Sequence, residues 1–148
     1  MYTHLLLPTD GSKLSSDAID DGLALAKALG ARVTLLTVIE PLRSFSASSE
    51  LLADVRENFE KSSRENAEKV LKAAADKAGA LGVQANTVMA NASQPHRQVI
   101  ETADSAGCDL IVMASHGRRG VDALLMGSVT QKVLTHSSIP VLVIRRGA

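Results

Sequence analysis

The chain has 148 residues, is 45% hydrophobic and 22% charged, and balances sixteen basic residues with sixteen acidic ones. That length suits one domain, expected to run from 1 to 148, and the composition excludes a disordered chain. The absence of a basic surplus argues against a nucleic-acid partner. A near-zero net charge puts little electrostatic resistance in the way of self-association.

Aromatic residues are scarce: Tyr2, Phe45 and Phe59, with no Trp. Base recognition on an aromatic stacking platform is therefore not expected. The single cysteine, Cys108, forms no intramolecular disulfide and fits a reducing compartment. It stands before the apolar run Leu110–Met113 with no basic neighbour in sequence, and reads as a small buried hydrophobe rather than a reactive thiol. Met1–Pro8 carries no basic leader or long apolar stretch, and no apolar run approaches the roughly 20 residues of a membrane span. The expectation is a soluble, cytoplasmic protein with no membrane partner.

In chain order, the apolar run His4–Leu7 is the first predicted strand. A helix over Ser15–Leu29 follows, with Ala18, Ile19, Gly22, Leu23, Ala26 and Leu29 recurring at spacings of three and four and Gly30 as its stop. Val33–Val38 is the second strand, and Glu40–Ser49, with Pro41 and several serines, is expected to be a mobile loop beside the sheet's carboxyl edge. A long helix from about Glu50 to Ala80 should bury the stripe Leu52, Val55, Phe59, Ser63, Ala67, Val70, Ala74, Ala78 and Leu81. Gln84–Met89 is more polar and reads as an edge strand.

A third helix starts near Ser93-Gln94-Pro95, with Ser as a cap and Pro in the first turn, turns Val99, Ile100 and Ala103 inward, and ends at Gly107. Leu110–Ala114 is the fourth strand. A fourth helix runs from Gly127 to about Thr135, and Pro140 opens the last strand, Val141–Ile144. The second, fourth and fifth runs are nearly continuous aliphatic stretches, as in parallel strands covered on both faces. Strict alternation of strand and helix predicts an α/β fold with an open, doubly wound parallel sheet of five strands.

Two segments at strand carboxyl ends carry the candidate chemistry. The first is Pro8-Thr9-Asp10-Gly11-Ser12. The second is Ala114-Ser115-His116-Gly117-Arg118-Arg119-Gly120, followed by Gly127-Ser128 at a helix start. If the chain reverses direction after the third strand, both lie at a topological switch point. Glycines allow close backbone approach, a helix start offers unpaired amides to an anion, Ser128 adds a hydroxyl, and Arg118 and Arg119 add fixed positive charge. These features describe a phosphate cradle. On the residues alone, Gly117 and Gly120 equally serve a tight turn, Ser128 an ordinary N-cap and Asp10 a turn before Gly11. His116 reads as a hydrogen-bonding residue that positions the loop rather than a catalytic base.

The stretch Met113–Thr130, the opening Leu-Leu-Leu-Pro-Thr-Asp-Gly-Ser and the closing Ile-Pro-Val-Leu-Val-Ile-Arg resemble the universal stress protein family across essentially the whole chain. The family's nucleotide-binding branch carries Gly, two residues, Gly, nine residues, Gly, then Ser or Thr. Gly117, Gly127 and Ser128 match that pattern, whereas the first glycine is replaced by Ala114. The resemblance implies strand order 3-2-1-4-5, a Rossmann-like sheet of the adenine nucleotide alpha hydrolase-like kind with helices on both faces. It implies ATP across the ends of the first and fourth strands, with Asp10 and the backbone of Val38 at the adenosine end. Met113 to Gly117 would line the ribose and first phosphates. Gly127, Ser128 and Val129 would hold the outer phosphates, with Mg²⁺ bridging phosphate oxygens and no direct protein ligand to the metal.

By the resemblance, and because an unpaired aliphatic edge is a liability, Val141–Ile144 is expected to pair with its mate in a homodimer. The function implied is a nucleotide-responsive stress or signalling regulator without catalytic residues, acting on a regulatory protein partner. A slow ATPase or phosphotransferase, and a nucleotide-free dimeric scaffold, are the alternatives.

Overall fold

The computed structural model describes residues 1–42, 49–117 and 126–146, the side chains of 49–52 excepted. Nine elements follow in order: β1 (His4–Pro8), α1 (Lys13–Leu29), β2 (Arg32–Ile39), α2 (Ser49–Leu81), β3 (Ala85–Asn91), α3 (Pro95–Ala106), β4 (Leu110–Ala114), α4 (Ser128–His136) and β5 (Val141–Ile144). The strands form a five-stranded parallel sheet ordered β3-β2-β1-β4-β5, as expected.

Alternation along each strand divides the core in two. Leu5, Leu7, Val33, Leu35, Leu110 and Val112 face α1 and α2, packing on Ile19, Leu23, Leu71, Ala74 and Ala78. Leu6, Leu36, Ile111 and Met113 face the other way, onto Val99 and Ala103 of α3 and Val133 of α4. Because the strands bury both faces, their apolar runs are continuous rather than alternating. At Gly22 of α1 the helix lies so close to the sheet that a β-carbon would come within 2.6 Å of Leu7 Cδ2. Cys108 is buried, and burial pushes its thiol pKa up, in keeping with a hydrophobic role.

Three helix expectations need correction. Leu52 of the stripe assigned to α2 lies outside the described side chains; among the described ones the stripe is buried at Ala67, Ala74 and Ala78, joined by Leu71, while Val55 (46% exposed) and Leu81 (37%) face solvent. A 33-residue helix is about 50 Å long. The eight-residue β2 beneath it spans roughly 26 Å, so only the carboxyl-terminal half of α2 has a sheet to cover. Leu29, the last residue of α1, is 39% exposed because the helix leaves the sheet at its left-handed cap Gly30 (φ 67°). The N-cap of α3 is Gln94, not Ser93, and no side chain caps it; Pro95 occupies the first turn, Val99 and Ala103 are buried, and Ile100 only partly so. Within the loop expected over Glu40–Ser49, residues 43–48 lie outside the described residues. No helix among the described residues is long and apolar enough to cross a membrane.

A polar cluster sits at the amino end of the sheet. His4 is buried, and its Nε2 lies 2.7 Å from Thr34 Oγ1. Burial, then the positive charge of Arg32, lower its pKa, and the charge of Asp109 and the Ala106 backbone oppose them only in part. Burial also pushes Asp109 up, but the amides of Thr3 and His4 and the Thr3 hydroxyl outweigh it and leave the carboxyl below its ordinary range.

The unfolded chain therefore protonates His4 near pH 6.5, before the folded one does. Stability should fall as pH drops below that value, towards the folded pKa. His96 has a lowered pKa and adds a contribution of the same sign, so the comparison must be with a variant. Urea melts from pH 7.5 to 5 should show a flatter pH dependence in His4→Gln than in the native chain. Parallel profiles would contradict a neutral, buried His4.

Candidate functional site

Strands β1 and β4 are neighbours in the sheet but distant in the chain, so the loops leaving them meet at a switch point. The first loop is fastened to β2: Thr9 N donates to Leu36 O at 2.8 Å, and Thr37 Oγ1 donates to Thr9 O at 2.6 Å. Ser15 Oγ lies 2.9 Å from Thr9 Oγ1 and accepts Asp10 N at 3.3 Å. Asp10 Oδ1 accepts Ser12 N at 2.9 Å, an Asx turn, and Ser12 Oγ caps α1 by accepting Ser15 N at 3.2 Å. The Asp10 carboxylate is thereby held, with Oδ2 directly against Gly117, where any β-carbon would collide with it. Asp10 and Gly117, read from separate segments, thus lie close together, and a larger residue at 117 would have to displace the Asp10 carboxylate.

The second loop is built from β4 outward. Met113 and Ala114 are its last two strand residues, both buried, paired with Val143 and Ile144 of β5. Ala114 lies in extended backbone with negative φ, so alanine at this position needs no left-handed conformation. Ser115 N donates to Ile144 O at 3.0 Å, and Ser115 O accepts Gly127 N at 2.8 Å. His116 is buried, with Nδ1 3.0 Å from Ser115 Oγ. Arg118, Arg119 and Gly120 lie outside the described residues.

Gly127 is the N-cap of α4, with φ −63° and ψ 155°. A β-carbon there would stand 3.3 Å from Ser115 O and 3.4 Å from His116 Cα, so a larger residue is tightly confined. Ser128 is the first helical residue, which corrects the alternative that it is itself the N-cap. The first intrahelical bond is Gln131 N to Gly127 O at 3.0 Å, leaving the amides of Ser128, Val129 and Thr130 without intrahelical acceptors. Among the described residues no side chain caps them, and the first turn contains no acid. Three amides and the positive end of the helix dipole thus stand at the carboxyl edge of β4, an arrangement that favours an anion.

Of the other expected residues, Pro8 ends β1, and Val38 lies near the end of β2, paired with Ala90 of β3. The side chain of Val38 packs on the α3–α4 side of the sheet, which leaves its backbone as the group available to a ligand. Ser12 was read only as part of the first segment, and Ser15, Thr37 and Thr130 were not singled out from the sequence, although they shape both loops. Ser12 is recoverable as a cap after an Asx residue. Thr37 and Thr130 bond to carbonyls 28 and 16 residues away, and nothing local marks them.

Two shallow depressions, about 300 and 450 Å³, flank α3 instead, lined by His96, Glu101 and His136 in one case and by Asn91, Gln94 and Gln98 in the other. Neither includes a candidate residue, and no cluster of three metal-ligating side chains occurs among the described residues.

The sequence profile of the Universal stress protein family matches residues 1–145. Universal stress protein YxiE of Bacillus subtilis is 34% identical over 149 residues, covering 98% of this chain and 100% of the relative. Among solved structures, protein MJ0577 of Methanocaldococcus jannaschii superposes with a TM-score of 0.83 at 26% identity, covering 100% of this chain and 99% of that one. A universal stress protein in complex with cAMP superposes with a TM-score of 0.73, also at 26% identity, covering 99% of each chain. The fold, the order of its elements and the match along the chain agree: this chain belongs to the universal stress protein family.

Proposed function

We propose that the protein binds ATP, as its Mg²⁺ complex, across the carboxyl ends of β1 and β4, and regulates a protein partner according to its occupancy. The observation that carries this reading is the uncapped first turn of α4, fastened to the end of β4 beside the Asp10–Gly117 contact. The amides of Ser128 and Val129 and the Ser128 hydroxyl hold the outer phosphates. Ala114 to Gly117, with Met113 behind them, line the ribose and first phosphate. Pro8, Thr9, Asp10 and the Val38 backbone border the adenosine end. Arg118 and Arg119 add positive charge to the same loop. The relative solved with cAMP supports adenine nucleotides as the ligand class. ATP is preferred to cAMP because a helix start with three amides and a hydroxyl suits a polyphosphate chain.

Binding rather than turnover fits the residues. Ser128, not Lys, follows Gly127, so the lysine that reaches the phosphates in a P-loop has no counterpart there. His116 directs Nδ1 at Ser115 rather than at a carboxylate that would make it a base. Asp10 has one oxygen committed to the Ser12 amide. Phosphate release under saturating Mg·ATP should stay below ~1 s⁻¹, under the range of kinases. Faster release, lost in Asp10→Ala or His116→Ala, would show an enzyme instead. The single buried cysteine fits a cytoplasmic setting.

A homodimer through β5 belongs to the same proposal. Among the described residues the strand is the sheet edge, paired to β4 alone, and it exposes Leu142 by 41%. Light scattering should report twice the 15.5 kDa chain mass; the monomer mass at micromolar concentration would contradict it.

A further inference from the structure

We propose that Thr130 is a positioning residue of the phosphate cradle, acting through its hydroxyl rather than by touching the ligand. The inference rests on the ATP-binding reading above. Thr130 lies in the first turn of α4, is 3% exposed, and donates from Oγ1 to Ala114 O at 2.9 Å. One residue on, Ser115 O accepts Gly127 N at 2.8 Å. The first turn of α4 is thereby attached to two successive carbonyls at the end of β4, through its N-cap amide and through a side chain three residues later. With a single attachment, only the packing of Val129 and Val133 on the core would hold the turn's orientation about that bond. Two attachments fix both its distance from β4 and the direction in which the amides of Ser128 and Val129 point.

The hydroxyl has a second effect. Carbonyls at the carboxyl end of a parallel strand present negative partial charge to any ligand bound there. Thr130 occupies that of Ala114, and Gly127 that of Ser115, so each is engaged by a donor from α4. Without the hydroxyl, Ala114 O becomes a buried acceptor lacking this partner, beside the region where phosphates bind.

A residue that served the fold alone would lower stability and weaken every nucleotide equally. Thr130 should instead discriminate by phosphate number, because α4 meets only the outer phosphates, while a single phosphate is held by the β4 loop. Calorimetric titration of nucleotide-free protein with Mg·ATP and with AMP tests this. Thr130→Val, which keeps the shape and removes the hydroxyl, should weaken ATP roughly tenfold and AMP less than twofold. Thr130→Ser, which restores the hydroxyl, should return the ratio of the two affinities to the native value. If the valine variant does not fold, Thr130→Ala makes the same deletion without β-branching and carries the same expectation. An unchanged ATP-to-AMP ratio in the folded hydroxyl-deleted variant overturns the role of Thr130 and leaves the nucleotide site standing. No ATP binding by the native chain overturns both.

Discussion

Gly127→Asp should abolish ATP binding while leaving the chain folded. The backbone at 127 is extended (φ −63°, ψ 155°), a conformation open to any residue, and the position is the N-cap of α4. Aspartate is among the preferred N-cap residues, since its carboxylate accepts from the second or third amide of the helix. It would therefore cap the very amides proposed to hold the outer phosphates. Its charge would also lie near those phosphates, where repulsion at about 4 Å and an effective dielectric of 20 is worth about 4 kcal/mol. Together these predict a loss of at least ~100-fold in affinity. The tight contact of the new β-carbon with Ser115 O (3.3 Å) opposes the gain from capping. The melting temperature should accordingly stay within about 4 °C of native. Ser128→Ala removes one donor and should cost only about 1–2 kcal/mol of binding. Native affinity in Gly127→Asp would place the phosphates elsewhere.

Leu35→Ala should do the opposite. Leu35 is fully buried in β2, between Leu7 of β1 and Thr87 of β3, inside the core shared with α1 and α2. Truncating a leucine in such a place costs about 2–5 kcal/mol, the transfer free energy of the lost atoms plus the cavity left behind. For a chain of this size, that lowers the melting temperature by roughly 10 °C. ATP affinity measured well below the transition should be unchanged, because the Leu35 side chain lies in the core shared with α1 and α2 and is not one of the groups proposed to hold the nucleotide. A loss below 1 kcal/mol would mean that the core collapses around the gap.

The strands were legible because both faces of the sheet are covered, which writes each buried strand as an unbroken aliphatic run; Leu5-Leu6-Leu7 and Leu110–Met113 are examples. Helix α2 was legible as a helix but not in its burial. Periodicity continues through Val55 and Phe59, yet the sheet ends before the helix does, and no local pattern records how far a partner surface extends. The candidate site was marked in the sequence by its glycines. Gly117 and Gly127 are constrained by close neighbours, Asp10 and the Ser115 carbonyl, rather than by positive φ. The contacts that hold those neighbours were hidden, since Thr37 and Thr130 reach carbonyls far along the chain.

The most direct test of nucleotide binding is a thermal melt of the native chain, first shown to be nucleotide-free, with and without Mg·ATP at a hundred times the dissociation constant. Ligand bound only to the folded state adds about 2.7 kcal/mol, which for this chain length raises the midpoint by roughly 5–10 °C. A rise of that size, absent in Gly127→Asp, is the expected result; no rise with ATP, ADP, AMP or cAMP would contradict the proposed function.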